Sequence, residues 1–301
     1  MTFTASFQLL RDLIRSALNL LVPERCAYCG KVRYFLQERN ITRTQRGEKF
    51  HPEWSLCVEC QDLFIPEERY GCRRCGQFKY QANHNSNRCP SCINKHLWFD
   101  RVIPLERYER DWRRAVFLMK KESGFLLAQT MAELMYFHRY FQLASIHADL
   151  ILPVPMHPFY RWVRGTNDAE IIADRLSRLL KIRCSRRLVR CQRLTMAQRA
   201  VKMHERHQNV QGVFVPTHMP PNRTRWLGKR AMIVDDVMTT GSTVNEFARV
   251  LKKEFGFSEV TVVVLLRARG ETGKTSEKSS QEIFEFSGKG STKKGLKKYC
   301  D

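Results

Sequence analysis

In the second half of the chain the apolar positions form short continuous runs separated by amphipathic stretches. That is the alternation expected of strands buried on both faces and joined by helices. Arg101 to Tyr108, Leu150 to Val154, Val213 to Val215, Met232 to Val234 and Val260 to Leu266 read as strands. Trp112 to Lys121, Phe125 to Tyr140, Ala169 to Leu180 and Val244 to Phe255 carry apolar residues at helical spacing, with Asn167 placed to cap the third of these helices. The order predicts an α/β domain with a parallel sheet and right-handed crossovers. The strand at Leu150 should stop at Pro153-Val154-Pro155, because proline has no N–H for the ladder and restricts its predecessor. At the start of the chain Phe7, Leu10, Ile14, Ala17, Leu18 and Leu21 recur at helical spacing, interrupted by Arg11, Asp12 and Arg15. This predicts an amphipathic packing helix rather than a signal peptide.

Composition changes character twice along the chain. Paired cysteines stop near Trp98 to Arg101, and from Gly270 onward Lys, Ser, Gly and Glu replace most apolar residues. The expected organisation is a helix over 1–21, a cysteine-rich module over 22–97, an α/β domain over 98–269 and a basic, disordered tail over 270–301. With 52 Lys and Arg against 30 Asp and Glu, the net charge of +22 implies anionic partners, nucleic acid foremost, or solvated basic faces spread along the chain. No uninterrupted apolar run approaches the roughly twenty residues of a membrane span. The absence of a targeting signal and the abundant cysteine pairs predict a reducing cytoplasm. Oligomeric state is not legible.

Four Cys-x-x-Cys pairs stand in the first hundred residues: Cys26/Cys29, Cys57/Cys60, Cys72/Cys75 and Cys89/Cys92. Each pair can present two sulfurs to one ion. Gly30 and Gly76 follow two of the pairs, where a knuckle needs a left-handed residue. Eight thiolates suit two tetrahedral four-cysteine zinc sites. Sequential pairing puts Cys26, Cys29, Cys57 and Cys60 on one ion and Cys72, Cys75, Cys89 and Cys92 on the other, although spacing also permits crossed pairing or a single occupied site. His51 and His84 could substitute for a sulfur, and Cys184, Cys191 and Cys300 read as unliganded thiols. Disulfides or a redox motif fit worse, since nothing else looks secreted and a redox motif would not recur four times. The module has too little regular apolar pattern to build a core unaided. Metal binding should therefore supply its folding energy, and metal loss should unfold residues 22–97 while sparing the α/β domain.

The densest chemistry lies in Ala231 to Thr243, where a buried strand runs into Asp235-Asp236 and then into Thr239-Thr240-Gly241-Ser242-Thr243. The strand is expected to end where the acids begin. Paired carboxylates accept hydrogen bonds from vicinal hydroxyls and ligate hard cations such as Mg2+. Small residues around a flexible glycine let successive N–H groups turn toward a phosphate, with the following helix adding its partial positive charge. This segment strongly resembles the phosphoribosyl-pyrophosphate (PRPP) loop of type I phosphoribosyltransferases. The resemblance implies that Asp235 and Asp236 hold the ribose 2′- and 3′-hydroxyls and that Thr239 to Thr243 cradle the 5′-phosphate. An acidic strand end in another doubly wound domain is the competing reading.

Other pieces narrow the likeness. Leu118-Met119-Lys120, Pro153-Val154-Pro155-Met156-His157-Pro158, Arg164-Gly165-Thr166-Asn167, and then Gln198, Arg206, Asn209 and Phe214 follow the cysteine pairs in order. Over roughly residues 7–269 the chain resembles the ComF/GntX-like family, a double zinc ribbon joined to a type I phosphoribosyltransferase domain with a Rossmann-like parallel sheet. Thr166 and Asp168 depart from its pattern, where an aromatic and a glutamine are more usual. The resemblance implies PRPP with Mg2+ as ligand and structural Zn2+. It makes Lys120, Arg164 and Arg206 candidates for the departing pyrophosphate, while Asn167, Gln198 and Asn209 either orient ligand or cap local structure. It also implies a role in DNA uptake or recombination, with single-stranded DNA and uptake or recombination proteins as partners. The first loop position holds Thr239, so the loop supplies no general base and the acceptor is unreadable. Phosphoribosyl transfer and a non-catalytic nucleic-acid-binding or PRPP-sensing scaffold both remain open.

Overall fold

The computed structural model describes residues 24–33, 55–67, 71–78, 89–92, 95–193, 210–217 and 223–268. The expected N-terminal helix and basic tail fall outside these residues. So do His51, His84, Gln198, Arg206, Asn209 and Cys300.

The described elements run in the order α1 (Val58–Leu63), β1 (Arg101–Arg107), α2 (Arg110–Met119), α3 (Phe125–Ala144), β2 (Leu150–Pro153), α4 (Pro158–Arg164), α5 (Asp168–Leu180), β3 (Val189–Cys191), β4 (Phe214–Pro216), β5 (Arg230–Met238), α6 (Ser242–Phe255) and β6 (Glu259–Arg267). Strands β1, β6, β5 and β2 form a parallel sheet in that spatial order, with β3 and β4 as a separate antiparallel pair. The continuous apolar runs follow from cover on both faces. Met232, Val234, Val263 and Leu265 join α2, α3 and α5 on one face; Ala231, Ile233, Val260, Val262 and Val264 join α6 and the small hairpin on the other. No helix among the described residues is long and apolar enough to cross a membrane.

Two local signals act as read. Asn167 caps α5, its side-chain oxygen accepting from the Ala169 N–H at 3.2 Å. β2 ends at Pro153, and Val154 donates across to the Val234 carbonyl at 2.9 Å. One expectation fails: β5 does not end where the acids begin but continues to Met238. Asp235 pairs with Val264, Val237 with Leu266 and Met238 with Arg267. The reason is nonlocal, since β6 runs long enough to extend the ladder under the acids. The short helices α1 and α4 and strand β3 carried too few periods to be read from sequence.

The first two cysteine pairs share a core with the sheet, while Cys72, Cys75, Cys89 and Cys92 form a small cluster of their own. Cys26, Tyr28, Leu56, Cys57, Cys60 and Phe64 belong to the same buried cluster as Trp112, Val116, Leu127 and Met131 of α2 and α3. Phe64 is fully buried, its ring edge-on to Tyr28 and Trp112 with centroids 4.9 and 5.0 Å away. The Tyr28 hydroxyl donates to Asp111 Oδ1 at 2.5 Å. Loss of metal from the first cluster is therefore expected to disturb the packing of α2 and α3 as well, a wider effect than unfolding of residues 22–97 alone. Phe64→Ala should cost about 3–5 kcal/mol and destabilise α2 and α3 together with the cysteine module. Urea unfolding followed by Trp112 fluorescence checks this, and a loss confined to the module would contradict the shared core.

Candidate functional site

Asp235 and Asp236 lie near the C-terminal end of β5, the edge of a parallel sheet where loops are free to hold ligand. Each carboxylate is tethered locally. Asp235 Oδ1 accepts from the Asp236 N–H at 3.0 Å, and Asp236 Oδ1 from the Val237 N–H at 2.8 Å. Lys120, directly after α2, places Nζ 3.0 Å from Asp236 Oδ2. The two acids consequently separate. Burial and the neighbouring Asp236 charge push Asp235 well above the usual carboxylate range, whereas the Lys120 ammonium outweighs burial and holds Asp236 below it.

The loop after β5 has the form of an anion cradle. Gly241 adopts φ 84°, a backbone conformation that favours glycine, while the nearest atom to a Cβ there, Met238 Cε at 2.5 Å, is a flexible chain end that can move aside. Thr240 Oγ1 lies 2.9 Å from Ser242 Oγ and accepts from the Ser242 N–H at 3.3 Å, closing a turn at the start of α6. The amides of Thr239, Thr240 and Gly241 donate to no acceptor among the described residues. Ser242 and Thr243 open the 14-residue α6, whose positive end faces the same turn. The donor set fits a phosphate beside a diol or hard cation.

Asp168 is a component that sequence reading passed over. It is the first residue of α5 and only 7% exposed, and its Oδ1 is buried without a hydrogen-bond partner. Burial and then the Asp236 charge raise it to about 6, against the opposing pull of Lys120 and Arg164. The available signal was its departure from glutamine in the motif after Arg164. Arg164 itself ends α4, its guanidinium 6.0 Å over the Tyr160 ring and close enough for its charge to act on Asp168. His157 has a local role, capping α4 by accepting from the Phe159 N–H at 3.1 Å. Asn167, besides capping α5, donates to the Val154 carbonyl at 3.1 Å and ties the two loops together. A separate cleft of about 250 Å³ lies over α5. Its Arg161 and Arg186 are already paired with Glu170 and Asp174, and its Arg175 with Glu133.

The eight paired cysteines gather into two groups, Cys26, Cys29, Cys57, Cys60 and Cys72, Cys75, Cys89, Cys92, with the sulfurs of each group within 4.8 Å of one another. Neighbouring sulfurs are 3.7 Å apart at Cys29/Cys57 and Cys72/Cys92, 3.4 Å at Cys75/Cys89 and 3.8 Å at Cys89/Cys92. A tetrahedron with metal–sulfur bonds of about 2.3 Å has edges of about 3.8 Å, so the spacing fits zinc. Gly30 and Gly76 take φ 78° and 70°, closing the knuckles. The thiols also oppose one another: a hydrogen bond from Cys75 brings Cys72 down to about 4, and the same bond raises Cys75. A dication would resolve that conflict. Cys184 and Cys191 pack against the apolar core and belong to neither group.

Residues 168–295 match the model of the phosphoribosyl transferase domain, a span that includes Asp168, both acids of β5 and the glycine turn. Competence protein F of Haemophilus influenzae is 31% identical over 229 residues, covering 74% of this chain and 95% of that protein. DNA utilization protein YhgH of Escherichia coli is 27% identical over 223 residues, covering 71% of this chain and 91% of that protein. The crystal structure of purine phosphoribosyltransferase from Pyrococcus horikoshii Ot3 aligns over 49% of this chain at 19% identity and a TM-score of 0.30, too loose a likeness to carry weight.

The unpartnered Asp168 sets a pH test. Its native pKa lies above the unfolded value of 3.8, so the native state holds the proton longer; stability contributed by this group is greatest below about pH 4 and falls as pH rises to about 6. In the ligand-free protein Asp168→Asn should raise stability at pH 7.5 by on the order of 1–3 kcal/mol and give no gain at pH 4. Unfolding curves at both values decide the matter, and an Asn variant no more stable at neutral pH would contradict the reading.

Proposed function

This chain belongs to the competence protein F family, and on that premise we propose that it binds PRPP with Mg2+ and transfers the phosphoribosyl group to an acceptor, in a protein that handles DNA. One observation carries the reading: the adjacent carboxylates of Asp235 and Asp236 stand directly before the Gly241 turn and the N-terminus of α6. A ribose 5-phosphate occupies such a site naturally. Its vicinal hydroxyls donate to the two acids, and its phosphate accepts from the amides and hydroxyls of Thr239, Thr240, Gly241, Ser242 and Thr243.

The remaining residues take roles around the sugar's C1. Loss of pyrophosphate leaves a cationic, oxocarbenium-like carbon, so positive groups are needed at the departing oxygens and negative ones under the ring. Lys120 and Arg164 supply the first and Asp168 the second, with Arg206 and Asn209 as further ligand contacts. Asp235 and Asp236 would hold Mg2+ with the ligand, and the ion would supply charge neutralisation for the leaving group. Zn2+ in the two cysteine groups has a structural role, since four sulfurs leave no open position. Calorimetric titration of PRPP with Mg2+ should show saturable binding to the zinc-loaded protein. The Asp235→Asn, Asp236→Asn double variant should bind at least about a hundredfold more weakly, because hydrogen bonds to charged groups are worth about 1.5–3 kcal/mol each. Equal binding by both proteins would refute the assignment. Binding without pyrophosphate release in the presence of DNA or nucleobases would point instead to a PRPP-sensing scaffold.

A second reading, contact with single-stranded DNA, is favoured by α4. Trp162 is 83% exposed and Phe159 50% exposed beside Arg161 and Arg164. Bare aromatic rings among cations suit stacked bases and a phosphate backbone. Trp162→Ala should weaken binding of a fluorescent oligothymidine by about 1–3 kcal/mol without changing thermal stability, and the wild-type affinity should fall steeply with salt. Indifference to both the substitution and the salt would exclude this surface.

A further inference from the structure

Arg267 closes β6 and is only 5% exposed. Its guanidinium spans two parts of the molecule. Nε donates to the Cys75 carbonyl at 3.0 Å, inside the Cys72-x-x-Cys75 knuckle, while Nη1 donates to the carbonyls of Met238 and Ala268 at 3.0 and 2.9 Å and to that of Thr239. One buried side chain thus grips a metal-ligand turn, the last residue of β5 and the first residue of the glycine loop.

The direction of those carbonyls matters. In a planar trans peptide the C=O of one residue and the N–H of the next point oppositely. With the Met238 and Thr239 carbonyls drawn onto Arg267, the N–H groups of Thr239 and Thr240 are turned the other way, away from Arg267. These are among the amides left without a protein acceptor in the described residues.

The knuckle is itself fixed against the sheet. Arg74 donates to the carbonyls of Asp100 and Leu97 at 2.7 and 2.8 Å, Val102 donates to the Arg73 carbonyl at 3.3 Å, and a Cβ on Gly76 would meet Val102 Cγ1 at 2.7 Å. Four thiolates around a divalent cation retain negative charge beside the guanidinium, which otherwise rests on carbonyl dipoles.

We propose that Arg267 is a positioning residue through which the metal-closed Cys72, Cys75, Cys89, Cys92 group orients the Thr239–Thr240 peptides for phosphate binding. The inference rests on the sugar-phosphate reading for its ligand, while the coupling of loop to cluster stands on its own. Closing the cluster sets the Cys75 carbonyl, the carbonyl sets the guanidinium, and the guanidinium sets the Thr239–Thr240 peptide plane and shares the Met238 carbonyl with the Ala268 N–H. Opening it releases all three, so the affinity of the loop for anions follows metal occupancy some distance away in sequence.

The test compares wild type, Arg267→Met, the Cys89→Ser, Cys92→Ser variant and their combination by hydrogen exchange at the loop, read from the Ala268 and Ser242 amides, which donate to the Met238 carbonyl and to Thr240 Oγ1, with zinc counted by native mass spectrometry. Arg267→Met should keep both zinc ions, speed loop exchange about tenfold and weaken ribose 5-phosphate binding about tenfold, the effect expected for losing a charged hydrogen bond. The cysteine variant should speed loop exchange to the same degree, and the combination should add nothing further. Unchanged exchange in Arg267→Met, or fully additive effects in the combination, would overturn the coupling. Should the methionine variant not fold, Arg267→Lys serves instead, since a single nitrogen cannot span both sets of carbonyls and the same acceleration is expected. Failure of the wild type to bind ribose 5-phosphate would sink the ligand reading, while the exchange data still decide the coupling.

Discussion

Two adjacent carboxylates held half-buried at the end of an interior strand repel one another, and the surrounding elements supply the groups that offset that repulsion. Pairing with β2 stops at Val234, so Asp235 and Asp236 stand half-buried at the mouth of the sheet, flanked by β6, and each borrows a backbone amide. Among the described residues Lys120 brings a compensating ammonium within contact distance of Asp236, and it does so from the end of α2. A buried acid, Asp168, arrives from the start of α5. The ligand-free site is therefore held under electrostatic tension, which hydroxyl donors and a cation would relieve. A binding site that is uncomfortable when empty is the ordinary exchange of stability for function.

The cysteine module belongs to the same structure. Its first group shares an aromatic-lined core with α2, the helix that delivers Lys120, through Phe64 and Trp112. Its second group reaches the glycine loop through Arg267. On the proposed reading, metal held by the two cysteine groups would bear on both ends of the ligand site: the cation beside Asp236 and the amides beside the phosphate position. A module of weak apolar pattern would then gain its order from metal and pass it on by packing and hydrogen bonds.

What could be read from the chain was what is local. The Cys-x-x-Cys pairs, the acids followed by Thr-Thr-Gly-Ser-Thr, and the Asn167 cap each declare themselves within a few residues, because knuckles, phosphate turns and caps are built from neighbours. What escaped is nonlocal. The extension of β5 to Met238 depends on the length of β6, the burial of Asp168 depends on where α5 docks, and Arg267 looks like any strand-end arginine until Cys75, 192 positions away, comes against it. Arg206, Asn209 and Gln198, assigned to the ligand by resemblance, lie outside the described residues and stay at that level.

The most direct test is a crystal structure of the zinc-loaded protein grown with PRPP and Mg2+. The account predicts ribose hydroxyls on Asp235 and Asp236, the 5′-phosphate in the turn from Thr239 to Thr243, and the pyrophosphate toward Lys120 and Arg164. Ligand density seated elsewhere, such as the arginine-lined cleft over α5, with the glycine turn holding only water, would contradict it.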